Sequence, residues 1–502
     1  MSGLFHNRLK VRAVSTPTKS EPMSPGPMVT AIASIVDRST PAFSNVSCNT
    51  GIIYSACFRD AISGTIPPYF LWISRLVATT LERIVTPSFT IAAAVSSQLD
   101  SILRILIRFH YNVLMLGQLL AWWKRYRVYV AVLLWAYFLL QIVFFLPLFF
   151  DTVWIKGVAF GDISPISLLR FYDSSFYMTI AHTLYDPAHT FFEEFPAYSG
   201  VMYLTNHFPI FPLIIRFFSL FMPTTMAGLV ANEMMSVVGT VLIFTLFLQF
   251  MKPKEALVLS VFQLLFPVRA LIWHHIANSE PTYMVFLTLS VLCVVKKKYW
   301  WALLAAVIAQ ATRPISIVLF PSFFILALLE KNNRVPKVIA SLCIPLTFIA
   351  IELWFYKTIP GFTFAGRPGG FSGLIGTFPF ANMFNLNFNA DGSWYLIFAM
   401  IVGLVTLIKN RNEDVRFLQL AAISFPMVYL SVFINHHDIS RYVWPFLPFV
   451  VFIPLKNIFL DRRVQIAFCI MLPAIFFAAW GALVTNQMPI AHLVFWLQAV
   501  GE

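Results

Sequence analysis

KRYRVYVAVLLWAYFLLQIVFFLPLFF, residues 124–150, decides the fold. Its uncharged run, 128–150, is long enough to cross a hydrocarbon core of about 30 Å as a helix. The basic cluster in front of it marks the cytoplasmic end, because short loops rich in Lys and Arg stay on that side. Reading outward, the loops between later apolar runs fall into two alternating kinds. Those at 252–254, 296–298, 331–337, 409–416 and 462–463 are plainly basic. The others carry Asp173, Asp186, Glu193, Glu194, His207, His274, His275, Glu280, Arg313, Arg367, Asp391, His436, His437, Asp438 and Arg441. The positive-inside rule places that second set together on the non-cytoplasmic face. Carboxylates, imidazoles and guanidiniums gathered at one membrane face read as a site rather than as solubilising decoration.

Composition agrees. With 59% hydrophobic and 11% charged residues, the chain is excluded from the soluble globular class, whose charged share is about 25%. Mean hydropathy is +0.77. The net charge of +13 sits in short clusters flanking apolar runs, where topology explains it, so no nucleic-acid partner is expected. The five cysteines show no metal-ligand spacing and no disulfide framework; Cys293, Cys343 and Cys469 lie inside apolar runs as small core residues.

The expected fold class is an all-α polytopic membrane protein. Residues 1–85, rich in Ser, Thr and Pro, read as a disordered extension, and Asn45-Val46-Ser47 is a glycosylation sequon on the cytoplasmic side. Residues 86–125 read as an amphipathic interfacial segment and 126–486 as the transmembrane domain. The first non-cytoplasmic loop is 151–206, and 487–502 is a C-terminal tail on the same side. After 128–150, crossings are expected at 228–250, 255–272, 280–295, 299–312, 315–329, 336–355, 393–408, 417–434, 442–459 and 464–485, about eleven in all. Residues 208–222 read as a half-inserted or interfacial helix.

Several motifs carry chemistry. In RFYDSSFYMTIAHTLYD, 170–186, Asp173 is set at the membrane surface near the start of a short helix. It can serve as a general base for a hydroxyl, or simply as an N-cap. NHFPIFPLIIRFF, 206–218, opens an aromatic-rich segment on two prolines and holds His207 at the interface, where a plain interfacial His is the bland reading. WHHIANSEP, 273–281, puts Glu280 at a helix start, where complementing the macrodipole is the simpler role. Arg313, within QATRPIS in a long apolar tract, needs a cavity or an anion, and a lipid phosphate is the natural one. NHHDISRYVWPFLPF, 435–449, offers His436, His437, Asp438 and Arg441. Imidazole and guanidinium donors of this kind can hold a phosphate oxyanion. Adjacent loop residues rarely reach one ion together, so no metal site is read there.

YDSSFYMTIAHTLY, NHFPIFPLIIR, NSEPTYMVFLTLS, ATRPISIVLFPSFF and SRYVWPFLPF stand in the order found in GT-C glycosyltransferases. Over residues 125–460 the chain resembles the second mannosyltransferase of GPI-anchor assembly and its prokaryotic relatives. There the first loop reads like RWDSxHYxxIAxxGY, the next helix opens FFPLYPLL, and later helices carry SES, TRP and RYxxPxxP. This chain departs from that pattern at Tyr172 for Trp, at Arg170, displaced by one position, and at Leu184-Tyr185 for Gly-Tyr.

The resemblance implies a GT-C-like bundle whose first large loop carries short interfacial helices. It also implies transfer of a hexose, most often mannose, from a polyprenyl (dolichyl) phosphate donor to a glycolipid or lipid-linked acceptor with inversion. Asp173 would then be the base, with His207, Glu280, Arg313, His436, His437 and Arg441 contacting substrate. The only cofactor-like partner implied is the lipid-phosphate sugar donor, and the resemblance leaves assistance by a divalent ion open. The membrane would be that of the endoplasmic reticulum in a eukaryote and the plasma membrane in a prokaryote. A transporter or lipid-linked sugar flippase is the competing class; it would place ionisable residues near the midplane on broken helices, often in two similar halves. A non-catalytic assembly subunit is a third.

Overall fold

The computed structural model describes residues 89–150, 154–155, 158–159, 172–194, 201–330, 333–364, 375–376, 378–380, 394–436 and 438–485. The extension expected at 1–85, the tail at 487–502, Arg367, Asp391 and His437 lie outside the described residues, and nothing is described of the Glu193 and Glu194 side chains. The chain divides into two units, 1–115 and 116–502, and every residue of the site described below belongs to the second.

The first helix, α1 (Phe89–Phe145), runs unbroken through the segment expected to be interfacial and on into the first apolar run. No proline falls within it, and it ends where Pro147 opens a single 3₁₀ turn. A two-residue hairpin pairs β1 (Trp154–Ile155) with β2 (Val158–Ala159). Next come α2 (Ser174–Thr183), α3 (Ile210–Phe218) and α4 (Thr224–Phe247). These are followed by α5 (Pro253–Leu265), α6 (Ala270–His275), α7 (Ser279–Val295), α8 (Tyr299–Thr312) and α9 (Leu319–Leu329). The chain continues through α10 (Arg334–Ser341), α11 (Cys343–Thr358), α12 (Trp394–Lys409) and α13 (Val415–Ser431). It closes with α14 (Ile439–Val443), α15 (Lys456–Leu460) and α16 (Arg462–Thr485).

The protein is a helical membrane protein. Among the described residues, five helical stretches are long and apolar enough to cross a bilayer: Gly117–Phe149, Thr224–Phe247, Arg334–Thr358, Trp394–Asn412 and Arg462–Val484. Four shorter apolar helical stretches accompany them, Ser279–Val295, Tyr299–Thr312, Pro314–Leu329 and Val415–Ser431. Each of these nine matches a crossing expected from sequence. The expected crossings at 255–272 and 442–459 are not single helices. Residues 266–269, around Pro267, separate α5 from α6. From 444 to 452 the chain passes through a 3₁₀ turn and a π turn. Pro445, Pro448 and Pro454 each remove an amide donor from what would be a continuous ladder. Irregular backbone is tolerable in a membrane where protein covers it, and residues 443–453 are all buried.

Between transmembrane helices lipid is as apolar as the side chains, so close fit and interhelical hydrogen bonds decide packing. Ser290 Oγ donates to the Ala302 carbonyl at 2.9 Å, joining α7 to α8. Ser322 Oγ reaches the Ile423 carbonyl at 2.9 Å, joining α9 to α13. Trp480 Nε1 donates to the Phe144 carbonyl at 2.9 Å, tying α16 to α1. The irregular 448–452 segment is held by close approach of α12: a Cβ on Gly403 would stand 1.8 Å from the Val450 carbonyl oxygen. Backbone cannot swing aside as a side-chain tip can, so Gly403→Ala is expected to cost about 1–3 kcal/mol. Thermal unfolding in detergent reads this out, and an unshifted midpoint would mean that the two backbones separate freely.

The short loop helix α2 is docked rather than solvated, with nine of its ten residues buried. Phe176 and Ile180, four apart, pack with Leu204, Phe208 and the Phe355 end of α11. Tyr177, Met178 and Ala181 pack with Phe211 and Ile215 of α3 and Ala227 and Ala231 of α4. Arg216 of α3 donates from Nη1 to the Ala181 carbonyl at 2.9 Å and the His182 carbonyl at 3.1 Å. A cation on the last carbonyls caps the negative end of α2. The rigid seat this gives α2 is what fixes the residue at its other end, Asp173.

Candidate active site

Four charged side chains reach one spot, each from a place where a helix starts, stops or breaks. Asp173 is the N-cap of α2, yet its side chain makes no capping hydrogen bond. Capping therefore does not account for it. Tyr172, just before, has φ 53°, a conformation that is costly for a bulky residue. At the far end, Leu184 and Tyr185 have φ 51° and 62°. Leu184 is the left-handed C-cap, the place where glycine is ordinarily used and where the resembled pattern has it. Strained backbone thus brackets the helix that presents Asp173.

Glu280 lies in the first turn of α7, where Pro281 is tolerated because amides there have no intrahelical partner. Arg313 ends α8; Pro314 pushes it into extended backbone, φ −146° and ψ 135°, as the residue before a proline prefers. Arg441 belongs to the short α14, its amide donating to the Asp438 carbonyl at 3.1 Å.

Together these side chains form a line of alternating charge. His207 Nε2 stands 3.4 Å from Asp173 Oδ2, and Arg441 Nη2 stands 2.5 Å from the same oxygen. Arg441 Nε donates to Glu280 Oε1, and Arg313 Nη1 lies 2.7 Å from that Oε1. The Tyr442 ring lies 5.4 Å from the Arg313 guanidinium carbon and closes the line. Glu280 is fully buried, each arginine side chain is 9% exposed, and Asp173 is the most open at 18%. Two carboxylates against two guanidiniums leave the formal charge balanced, the condition under which burying such groups is tolerable. The charge of Arg313 is met within the protein by the Glu280 carboxylate.

His207 is caged by aromatic rings, with Phe176 at 5.2 Å, Tyr177 at 5.0 Å and Tyr203 at 5.8 Å between centroids. Its backbone carbonyl accepts from the Tyr185 hydroxyl. The Tyr177 hydroxyl shares a 2.5 Å hydrogen bond with Ser279 Oγ, beside Glu280. His207 Nδ1 and Glu280 Oε2 are buried without a hydrogen-bond partner, an unmet capacity that suits a site for polar ligand. Burial alone would raise the Asp173 pKa. The Arg441 charge and the His207 contact outweigh it, holding the carboxyl well below the usual carboxylate range.

No family model and no curated protein matches this chain.

Of the residues singled out in the sequence, Asp173, His207, Glu280, Arg313 and Arg441 meet. His436 turns back on its own loop: its Nδ1 accepts from the Asp438 amide at 3.0 Å, and its ring packs 5.3 Å from Tyr442. Asp438 pairs with Arg269, which sequence reading passed over. Among the described residues, no three His, Cys, Asp or Glu side chains gather in a way that could hold a metal ion.

A second polar cluster, in which the sequence reading singled out His274 and His275 but not Tyr137, Asn232 or Glu233, braces the turn that carries Glu280. Tyr137 of α1 donates to Glu233 Oε2 at 2.6 Å, and His275 Nδ1 lies 3.1 Å from Glu233 Oε1. Asn232 Nδ2 donates to the His274 carbonyl at 2.8 Å, and its Oδ1 accepts from the Asn278 amide at 3.2 Å. The turn that carries Glu280 is thereby clamped to α4. One signal could have revealed this: Glu233 is the only charged residue of α4, and an acid inside an apolar span marks a polar cluster.

Proposed function

We propose that the protein is a GT-C-like membrane glycosyltransferase that moves a hexose, with mannose favoured by the sequence resemblance, from a polyprenyl phosphate to a lipid-linked or glycolipid acceptor. On this reading the bundle makes about eleven crossings. The site faces the non-cytoplasmic side of the endoplasmic reticulum membrane or, in a prokaryote, of the plasma membrane. The observation that carries the reading is one partly open carboxylate set among two arginines and a caged histidine, at helix ends inside an apolar bundle.

The acceptor hydroxyl oxygen attacks the anomeric carbon from the face opposite the phosphate, and the new C–O bond forms as the C1–O(phosphate) bond breaks. The leaving polyprenyl phosphate takes the electron pair, and Asp173 takes the hydroxyl proton. One base suffices because the phosphate needs no general acid, whereas a glycosidase uses two carboxylates. Arg441 and Arg313 supply charge-assisted donors to the phosphate oxygens, and the apolar helices receive the prenyl chain. The purified protein, given radiolabelled polyprenyl phosphate mannose and a mixed lipid acceptor pool, is expected to label an acceptor lipid; equal labelling from free mannose would refute the donor assignment.

Arg441→Gln is expected to weaken donor use by about 1.5–3 kcal/mol, roughly 10- to 150-fold in kcat/KM. The same change leaves burial opposed at Asp173 only by His207, so the Asp173 pKa rises. Since the base must be ionised, kcat/KM in the variant falls on the acid side at a higher pH than in wild type. An acid limb that stays in place would detach Arg441 from Asp173.

A flippase is the second reading, favoured by Glu233, an acid within a spanning helix beside a broken one. It predicts translocation of a fluorescent polyprenyl phosphate across proteoliposomes without sugar transfer.

A further inference from the structure

We infer that Arg441 latches Asp173 in the ligand-free protein, and that an incoming phosphate ester frees the carboxylate by taking its place on the guanidinium. The phosphate-bearing substrate therefore binds before Asp173 can act on a hydroxyl. The inference rests on the transferase reading and adds an order of events to it.

The geometry of the guanidinium comes first. Nε and Nη2 lie on one edge of the guanidinium, the edge that ordinarily grips a single carboxylate or phosphate with two parallel hydrogen bonds. Here that edge is divided, Nε to Glu280 and Nη2 to Asp173. A phosphate oxygen can take the Nη2 position without turning the guanidinium, because Nε stays on Glu280.

Exposure then decides which acid yields. Glu280 is fully buried and shared by Arg441 and Arg313, so removing it would strand Arg313 and leave Arg441 with Asp173 alone. Asp173 is 18% exposed and shares a single oxygen, Oδ2, between Arg441 and His207. Released from Arg441, it keeps His207 as a neighbour, and it lies next to a backbone already strained at Tyr172. Charge points the same way: the line is neutral as it stands, so an added anion is accommodated by moving an anion off Arg441 rather than by crowding a third beside two. While latched, Asp173 is a weak base, held down by Arg441 against the effect of burial. Displacement removes that restraint when substrate is in place.

The test is equilibrium binding of undecaprenyl phosphate to the purified full-length protein in detergent. Asp173→Asn removes the competing charge while nearly preserving size, so it is expected to bind the probe at least about tenfold more tightly than wild type. Asp173→Ala is expected to shift in the same direction. Asp186→Asn, a change at an exposed acid of the same loop, is expected to leave binding unchanged. Undecaprenol, which lacks the phosphate, is expected to bind wild type and variants alike. Inorganic phosphate shows whether the headgroup suffices: a gain with it as well confirms the exchange at Arg441, and a gain confined to the lipid shows that the prenyl chain must deliver the phosphate there. Wild-type binding with no gain in either Asp173 variant overturns the latch and leaves the transferase reading standing. A gain for undecaprenol equal to that for its phosphate also overturns it. Absence of probe binding by wild type and variants alike overturns both.

Discussion

Asp173→Asn is expected to cut sugar transfer by roughly 10²- to 10⁴-fold, the contribution of a positioned general base. The protein should still insert and fold, and this distinction makes the result informative. Asparagine is nearly the same size and is itself a good N-cap, and the native side chain makes no capping bond that the change could remove. Arg441 keeps Glu280 as its counterion, so no cation is left buried alone. A variant that melts like wild type but does not transfer assigns the loss to the missing proton acceptor. A variant with full transfer would remove Asp173 from the chemistry, however well it is placed. The same protein is expected to hold undecaprenyl phosphate more tightly while doing nothing with it, a combination that a merely damaged site would not show.

Much of the bundle could be read from hydropathy because an apolar run bounded by charges admits few interpretations. The runs behind α7, α8 and α13 needed no tertiary information. Where the expected crossings are not single helices, at 255–272 and 442–459, average hydropathy stayed high while single prolines decided the backbone. A window average does not register the loss of one amide donor. The site was legible residue by residue but not as a contact map. Arg313 announced itself as a charge that needed an anion, yet the partner, Glu280, lies on the preceding helix of an antiparallel pair and looked like an ordinary first-turn carboxylate. Both roles place Glu at a helix start, so only the position of the arginines separates them. Glu233 and Tyr137 were missed for a related reason: each stands alone in its own span, and their partnership appears only once α1 and α4 are side by side.

Glu280 is where the largest loss of stability is expected. It has no solvent to fall back on, and its Oε1 faces both Arg441 and Arg313. Glu280→Gln keeps the shape but leaves Arg313 without its carboxylate, beside Arg441, which retains only Asp173, in a low-dielectric interior. Removing one partner of a buried ionic set costs about 3–5 kcal/mol, so a sharply lowered unfolding midpoint or loss of folded protein in detergent is expected. Poor yield alone would be ambiguous, and a second-site change resolves it. Adding Arg313→Gln removes the stranded cation and returns the formal balance to Asp173 against Arg441. If charge is the cause, the double variant is more stable than Glu280→Gln alone, a favourable coupling where two independent lesions would show none. Transfer should not return with stability, because Arg441 then lacks the Nε anchor that keeps its edge aimed at the phosphate. Additive losses in the double variant would instead mean that Glu280 acts through packing of the α7 turn, and the charge line would have to be redrawn without it.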